Sequence, residues 1–326
     1  MKVAGTPLVS AIVVSYNVRE HLLEALRALD ATSDLPMEII VVDNASSDRS
    51  AEAVMAEFPE VNLIREAKNI GYGRANNAGL EKATGRFVLL VNPDLVVEAG
   101  CVGKLTDFLL ARPEAAAVSP RIQRPDGSPD LAARRGFPTP MTSFYRLSGL
   151  SRLFPRSLRF NRYNMGYLSD SEVHEIDSGT GACLMLRRSA IERVGLFDPD
   201  FFMYGEDLDL CLRLKDDGWK VFYQPDAHAR HVKGASSRQA TLSMLYHFHR
   251  SMWVFHLKHY AGDLSAFSTG LVWLSIWARW AFLAGRAILD PEPRVSPCRP
   301  GLVRRAGRSA PGVAVARVWR HRAARA

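Results

Sequence analysis

The chain has 326 residues, of which 47% are hydrophobic, so it can bury a sizeable core as one large domain, alone or with an appendage. This composition excludes a disordered protein. The formal net charge is +8, and residues 290–326 carry most of it because nine arginines there face only Asp290 and Glu292. Their Pro, Gly, Ala and Arg content predicts a disordered tail that stays solvated or binds an anionic partner.

The cysteines give no sign of a metal or disulfide framework. They include no C-x-x-C pair and their spacing does not form a disulfide framework, which fits a reducing cytoplasm. The four are Cys101, Cys183, Cys211 and Cys298. The apolar run LVSAIVV at 8–14 is followed directly by polar residues, so it predicts a first strand rather than a signal peptide.

Short apolar runs alternate with helical patterns over residues 8–92. Strands are predicted in the runs LVSAIVV, MEIIVV, VNLI and RFVLLV, and helices near 19–30, 49–57 and 73–84. Strand and helix alternating at this spacing predict an α/β protein with a doubly wound, mostly parallel sheet.

The pattern loosens at 120–176, where a turn is predicted around Asp126 and Gly127. Such a long irregular segment in a compact protein is typical of a functional loop. Order returns with IDSGTGACLMLRR, a helix near 188–194, a helix over 206–217 and a last strand WKVFYQ.

Two long helical patterns follow residue 238. The second is an amphipathic helix with polar residues on one side and tryptophans on another: Ser268, Ser275, Arg279, Arg286, and Trp273, Trp277, Trp280. It is typical of a helix at a membrane interface or of one packed on the core. An arginine at its centre argues against a membrane span.

Polar clusters follow three of the predicted strands: SYN at 15–17, DNASSD at 43–48 and NPD at 92–94. Since ligands bind at the carboxyl ends of parallel strands, Asp43 and Asp94 are expected on one rim. Carboxylates there suit a phosphate ligand that is bound through a divalent cation. Taken singly, each cluster is also a common turn sequence.

Two further motifs could carry chemistry. GYGRANN at 71–77 opens a helix with free N–H groups that could face a phosphate, with Lys68 and Arg74 as nearby cations, although the same pattern serves ordinary helix starts. Glu206 and Asp207 start a predicted helix whose dipole is expected to keep both ionised, either as caps or with one carboxylate as general base.

Two histidines, His228 and His231, lie just beyond the last predicted strand, WKVFYQ. A neutral imidazole there could complete a metal site with Asp94. His231 is the better candidate, because it precedes what reads as a Gly- and Ser-containing loop.

In order, these clusters resemble glycosyltransferase family 2, the inverting nucleotide-sugar transferases with a single GT-A-type domain. The resemblance spans roughly residues 8–237. It implies a domain at 1–237, a helical appendage at 238–289 and the tail at 290–326. It also implies a divalent cation, Mg²⁺ or Mn²⁺, held by Asp94 and His231, with Asp207 as base and Glu206 as its support. The implied nucleotide-sugar-binding residues are Ser15, Tyr16, Asn17, Asp43, Asn44, Gly71, Arg74, Asn76 and Asn92. The first acid of the family's metal motif is replaced by Asn92.

The segments RRGFPTPMTSFYRLSGL, GTGACLMLRR and FMYGEDLDLCLR look most like the bacterial rhamnosyltransferase branch, which uses dTDP-rhamnose. That resemblance implies a polyprenyl-diphosphate-linked acceptor and a peripheral position on the cytoplasmic face of the membrane, with no nucleic-acid partner. UDP-hexose or UDP-N-acetylhexosamine donors remain open. A non-catalytic scaffold is a rival, as is a nicotinamide-dependent oxidoreductase, which would place its glycine loop where SYN stands.

Overall fold

The computed structural model describes residues 6–32, 35–231 and 241–289. The expected tail at 290–326 and the expected boundary at 237 lie outside the described residues. Within them the strands are β1 (Val9–Ser15), β2 (Met37–Asp43), β3 (Asn62–Arg65), β4 (Phe87–Val91), β5 (Leu95–Val97), β6 (Ala115–Gln123), β7 (His174–Ile176), β8 (Cys183–Arg187) and β9 (Lys220–His231).

Helices connect most of these strands. They are α1 (Arg19–Ala31), α2 (Ser50–Glu57), α3 (Tyr72–Lys82), α4 (Cys101–Ala111), α5 (Pro140–Leu147), α6 (Leu150–Leu153), α7 (Arg188–Val194), α8 (Glu206–Asp216), α9 (Thr241–His259) and α10 (Ala266–Leu289). The elements predicted before residue 92 are confirmed, with ends that move by one or two residues.

The strands form one sheet in the order β3-β2-β1-β4-β8-β6-β9-β5, and β7 pairs with β9. Strands β3, β2, β1 and β4 are parallel, as predicted, whereas β8 enters antiparallel between β4 and β6. The parallel register pairs Ser15 with Asp43 and Val13 with Val91, so the polar clusters that follow these strands share one edge.

The core is formed by the central strands, since every residue of β1 and β4 is buried. Burial on both faces explains why these strands read as continuous apolar runs rather than as an alternating pattern. Helix α3 packs closely on β1, because a Cβ at Gly79 would lie 2.7 Å from the side chain of Ile12. This close approach holds α3 against the sheet, and the hydrogen bond from Asn44 Nδ2 to the Gly71 carbonyl at 3.3 Å places the start of α3 at the edge where the polar clusters lie.

Strand β9 is longer than predicted and corrects the placement of two histidines. It runs to His231, so His228 and His231 lie on the strand and not in a loop beyond it. The turn around Asp126 and Gly127 is confirmed: the Gly127 N–H donates to the Arg124 carbonyl at 2.9 Å, and Gly127 has a left-handed φ of 78°.

Helix α9 is anchored to the sheet domain through α8. The fully buried carboxylate of Asp209 accepts a hydrogen bond from His259 at 2.8 Å and pairs with Lys258 at 2.7 Å. Phe255 packs beside them against Phe201 and Leu208. These contacts hold α9 against the sheet domain.

Helix α10 packs on α9 but remains largely exposed. Of its 24 residues, Ile276 and Ala284 are buried, while Phe267 and Phe282 are 75% and 64% exposed. By length and composition alone, it is the one helix of the described part that could cross a membrane. That test is also passed by helices of soluble proteins.

Candidate active site

A cavity of about 380 Å³ opens where the carboxyl end of β4 meets β9 and the start of α8. Five residues singled out from the sequence line it together: Asn92, Asp94, Glu206, Asp207 and His231. Asn92 and Asp94 sit in a turn in which the Leu95 N–H donates to the Asn92 carbonyl at 3.1 Å. Residues 92–94 and 206–207, which are far apart in the chain, therefore converge.

Asp207 is held by three hydrogen-bond donors. Its Oδ2 accepts from Arg135 Nη2 at 2.6 Å and from the Gly181 N–H at 2.9 Å, and its Oδ1 accepts from the Leu208 N–H at 2.8 Å. The Tyr72 hydroxyl donates to the Gly181 carbonyl at 2.7 Å, which fixes the loop that carries the second donor. The carboxylate is thus fixed in direction at the cavity wall.

Glu206 differs from the expectation that the helix dipole keeps both carboxylates ionised. Burial, and then the negative charge of Asp207, raise the pKa of Glu206 to about 8. Its Oε2 is buried and has no hydrogen-bond partner within the described part of the chain. At neutral pH the Glu206 carboxyl is therefore protonated and can donate a hydrogen bond into the site.

His231 lies between two carboxylates. Its Nε2 is 3.2 Å from Asp94 Oδ1, and its Nδ1 is 3.4 Å from Asp130 Oδ2. Burial opposes a charge on the ring, but the hydrogen bonds and negative charges of Asp130 and Asp94 outweigh it and raise the pKa of His231 to about 9. This chain of acid, imidazole and acid fixes both ring nitrogens.

Several buried polar atoms at the strand ends and on α3 lack a hydrogen-bond partner among the described residues. They are Ser15 Oγ, Asp43 Oδ1, Asn76 Oδ1 and Asn92 Oδ1. Buried polar atoms in folded proteins are nearly always paired, so such a cluster indicates a ligand-binding surface. Ser15, Asp43 and Asn76 lie outside the lining of the cavity.

Other expected nucleotide-sugar residues form the framework of this edge. The Asn44 side chain binds Asn69 and Gly71 and accepts from the Ile70 N–H at 2.9 Å. Arg74 donates to the Pro199 carbonyl at 3.1 Å. The Ser47 N–H donates to Asn17 Oδ1 at 2.7 Å. Tyr16, which precedes Asn17 in the chain, is half-buried. Neither Arg74 nor Gly71 lines the cavity.

Comparison with known sequences decides the family. The model of Glycosyl transferase family 2 matches residues 10–195, more than half of the chain. The chain belongs to this family. N-acetylglucosaminyl-diphospho-decaprenol L-rhamnosyltransferase from Mycobacterium tuberculosis (strain ATCC 25618 / H37Rv) is 32% identical over 271 residues, which cover 79% of this chain and 86% of that protein. Rhamnosyltransferase WbbL from Escherichia coli (strain K12) is 27% identical over 238 residues, covering 71% and 86%.

Solved structures agree on the fold of this glycosyltransferase. Mannosyltransferase PcManGT from Pyrobaculum calidifontis, in complex with GDP-Man and Mn²⁺, matches with a TM-score of 0.54 at 19% identity, covering 88% of this chain and 82% of that chain. GalNAc-T7 with UDP, GalNAc and Mn²⁺ also has a TM-score of 0.54, at 14% identity, covering 77% and 48%. The predicted GT-A-type α/β fold is confirmed.

The family's divalent cation can be tested against the donor atoms of the cavity. The described residues contain no group of three His, Cys, Asp or Glu side chains that could hold a metal ion. Asp94 and His231 nevertheless lie side by side, and the buried Asn92 Oδ1 beside them lacks a partner in the described chain. A carboxylate, a neutral imidazole and an amide oxygen are ligands that Mn²⁺ accepts, so the donor set fits once the metal displaces the second proton of the His231 ring.

Two residues of the site have no counterpart in the sequence prediction. Arg135 pairs with Asp207, and Asp130 contacts His231. Both lie in the irregular stretch at 120–176 that the sequence indicates as a functional loop, which was the available signal. The sequence could not indicate which residues of this stretch belong to the site, because their partners lie 72 and 101 positions away in the chain.

Proposed function

We propose that this glycosyltransferase moves rhamnose from dTDP-rhamnose to a hydroxyl of a polyprenyl-diphosphate-linked sugar, with inversion at the anomeric carbon. The observation that carries the reaction type is the convergence of Asp207 with Asn92, Asp94 and His231 in one cavity. The donor and acceptor are supported by the likeness to the decaprenol-linked rhamnosyltransferase over 79% of this chain.

In the proposed mechanism Asp207 is the general base. The acceptor hydroxyl attacks the anomeric carbon, the bond from that carbon to the diphosphate oxygen breaks, and the hydroxyl proton passes to the Asp207 carboxylate. A carboxylate is a weak base toward a hydroxyl in the ground state. A weak base is sufficient, because the hydroxyl becomes strongly acidic as its oxygen bonds to carbon in the transition state.

Glu206 has a different proposed role. Since its carboxyl is protonated at neutral pH, Glu206 can donate a hydrogen bond to a sugar oxygen. An ionised Glu206 could not donate, and its charge would repel that of Asp207. Its buried, unpartnered Oε2 within the described chain supports such a ligand contact. Glu206 would thus orient the acceptor without exchanging a proton in the reaction.

We assign the metal ligands to Asp94 and His231, with Asn92 as a neutral third donor. When bound, Mg²⁺ or Mn²⁺ supplies positive charge to the departing diphosphate. Asp130 would hold the outer nitrogen of the His231 ring, as carboxylates do for metal-bound histidines. On the nucleoside side, the buried Oδ1 of Asp43 is the proposed acceptor for a base N–H.

A transfer assay tests this proposal. The full chain is incubated with dTDP-rhamnose, or with UDP-linked sugars, and an N-acetylglucosaminyl-diphospho-polyprenol acceptor. We expect a rhamnosylated lipid with inverted anomeric configuration by NMR, and Asp207→Asn should lower turnover by about 10²- to 10⁴-fold. Asp107→Asn, on the exposed side of α4, is the matched control.

The outcomes separate the alternatives. Transfer from a UDP-sugar but not from dTDP-rhamnose would overturn the donor assignment. If wild type and Asp207→Asn bind dTDP equally and neither consumes any nucleotide sugar, the chain is a scaffold and not a transferase.

A further inference from the structure

The cavity extends beyond the acidic site into a region formed by helices. Its lining there includes Leu147 of α5, together with Phe248, Met252 and Phe255 of α9. These apolar side chains do not serve the sugar and phosphate chemistry proposed at the strand ends. This helical part of the cavity therefore has a different ligand chemistry from the acidic part.

Two arginines line this helical part, Arg146 from α5 and Arg279 from α10. Neither forms an ion pair with a carboxylate among the described residues. Arg146 stacks over the Tyr163 ring at 4.7 Å, and Arg279 lies 5.9 Å from the ring centre of Phe248. Aromatic faces hold the guanidinium groups without neutralising them, so their charge remains available.

Arg279 is held by a second contact that is buried. Its Nη1 donates to His249 Nε2 at 2.8 Å, and the other ring nitrogen of His249 lies 2.7 Å from the Leu245 carbonyl. The ring is fully buried, and burial, together with the charge of Arg279, lowers the pKa of His249. A neutral imidazole can accept this hydrogen bond from Arg279. The contact therefore fixes the guanidinium group without neutralising its positive charge.

The two guanidinium groups repel each other. Burial, and then the positive charge of Arg146, lower the pKa of Arg279. Two cations at one apolar wall, without a carboxylate between them among the described residues, are stabilised when an anion with several oxygens binds to both. A diphosphate offers such oxygens to two guanidinium groups.

We propose that Arg146 and Arg279 bind the diphosphate of the lipid-linked acceptor and so orient its sugar toward Asp207. This inference rests on the proposed function. The donor diphosphate is assigned to Asp94 and His231 at the strand ends, so the arginines on the helices are free for a second diphosphate.

The two helices that carry these arginines also carry exposed apolar side chains. On α5, Met141 and Phe144 are each 57% exposed, and on α10 Leu274 and Phe282 are 57% and 64% exposed. A polyprenyl chain attached to a diphosphate at the arginines would run along such a surface into a membrane. Single exposed apolar residues are ordinary, but two helices that flank one basic pair match the amphiphilic shape of this ligand.

Vesicle binding tests the assignment with the full chain. Phosphatidylcholine vesicles are doped with polyprenyl diphosphate, or with phosphatidylglycerol at equal charge. Wild type is expected to bind the diphosphate vesicles at least about tenfold more tightly, and Arg146→Gln and Arg279→Gln should each remove about tenfold of that affinity. Arg279→Lys should restore part of it, because the charge returns without the planar fork.

Controls and contrary outcomes are available. Arg152→Gln on α6 and Arg286→Gln on α10 replace exposed arginines outside the cavity lining and should retain the diphosphate preference. All variants should bind dTDP as wild type does, which shows that they are folded. Equal binding to phosphatidylglycerol would mean a general lipid-headgroup site and would overturn the proposal, as would unchanged diphosphate affinity in both glutamine variants.

The transfer assay distinguishes this failure from failure of the proposed function. If wild type makes the rhamnosylated lipid and Arg146→Gln leaves the KM for that acceptor unchanged, the diphosphate site is wrong while the function stands. If wild type binds polyprenyl diphosphate through both arginines but transfers no rhamnose, the site stands and the assigned reaction is wrong.

Discussion

Breaking the pair between Arg135 and Asp207 should destabilise the fold as well as stop the reaction. The two side chains are 14% and 9% exposed and meet at 2.6 Å. Removing one partner of such a buried pair costs about 3–5 kcal/mol, because the other charge stays buried and uncompensated. We therefore expect Asp207→Asn and Arg135→Met each to lower the free energy of unfolding by about that amount.

The hydrogen bonds of Asp207 explain why asparagine is not a neutral replacement. Its two oxygens accept from three donors: Arg135, the Gly181 N–H and the Leu208 N–H. The amide of asparagine has one oxygen, so its NH₂ group must face at least one of these donors. A buried donor left without an acceptor lowers the free energy of unfolding by about 1–3 kcal/mol.

A double-mutant cycle measures the pair itself. In Arg135→Met/Asp207→Asn neither charge is left alone, so the double variant should lose less stability than the two single losses together, with a coupling of about 1–3 kcal/mol. Equilibrium urea unfolding of all four proteins provides the values, if each unfolds in one transition. Single losses that add to within about 0.5 kcal/mol would refute the reasoning.

Three further predictions concern other parts of the site. The Glu206 carboxyl has a pKa of about 8 in the fold and 4.5 when unfolded, so it should lower the free energy of unfolding of wild type by about 1.4 kcal/mol per pH unit between these values. In urea unfolding between pH 4.5 and 6.5, the fall with pH should be steeper in wild type than in Glu206→Gln by this amount; above pH 6.5 the raised pKa of His231 adds a fall of the same sign in both proteins. Gly71→Ala should lower the thermal midpoint and dTDP affinity, since φ is +89° and a Cβ would meet a carbonyl oxygen at 2.4 Å, whereas Gly103→Ala, with open space, should not. Asp130→Asn should weaken Mn²⁺ binding about 10- to 100-fold by electron paramagnetic resonance, because it releases the outer nitrogen of His231; unchanged affinity would rule out that role.

The central strands could be predicted because their burial leaves a direct signal in the sequence. The extension of β9 could not. Its second half, PDAHARH, alternates buried and exposed positions, but two of the buried ones are alanines, which signal little hydrophobicity. Pro225 reads as a strand breaker, yet it lies where the pairing with β6 shifts register between Pro120 and Arg121. Proline is tolerated at such an irregularity, so the strand continues to His231.

The prediction that Glu206 is ionised was wrong because it took the helix dipole into account but not burial. A helix N-terminus favours a negative charge by about 0.3–1 kcal/mol, and by about 2 kcal/mol in favourable cases. Burial beside a second carboxylate raises the pKa of Glu206 from 4.5 to about 8. At about 1.4 kcal/mol per unit, that opposing effect is larger than the dipole can supply. Glu206 lies against α3, since a Cβ at Gly73 would be 3.7 Å from the Cβ of Glu206, and no local sequence pattern reveals this tertiary contact.

Arg135 can act on the catalytic base in two opposite ways, and turnover tells which one dominates. Its ion pair occupies an acceptor site of the Asp207 carboxylate and so competes with the acceptor hydroxyl, but its hydrogen bond also fixes the direction of the carboxylate. An ionised carboxylate has about four acceptor sites, and the described donors use three of them. One site remains for the acceptor hydroxyl without any break in the Arg135 pair. The base can therefore act with Arg135 in place, and we expect Arg135→Met to lower kcat while the affinity for dTDP is retained. A rise in kcat at neutral pH would mean that Arg135 restrains the base rather than positioning it.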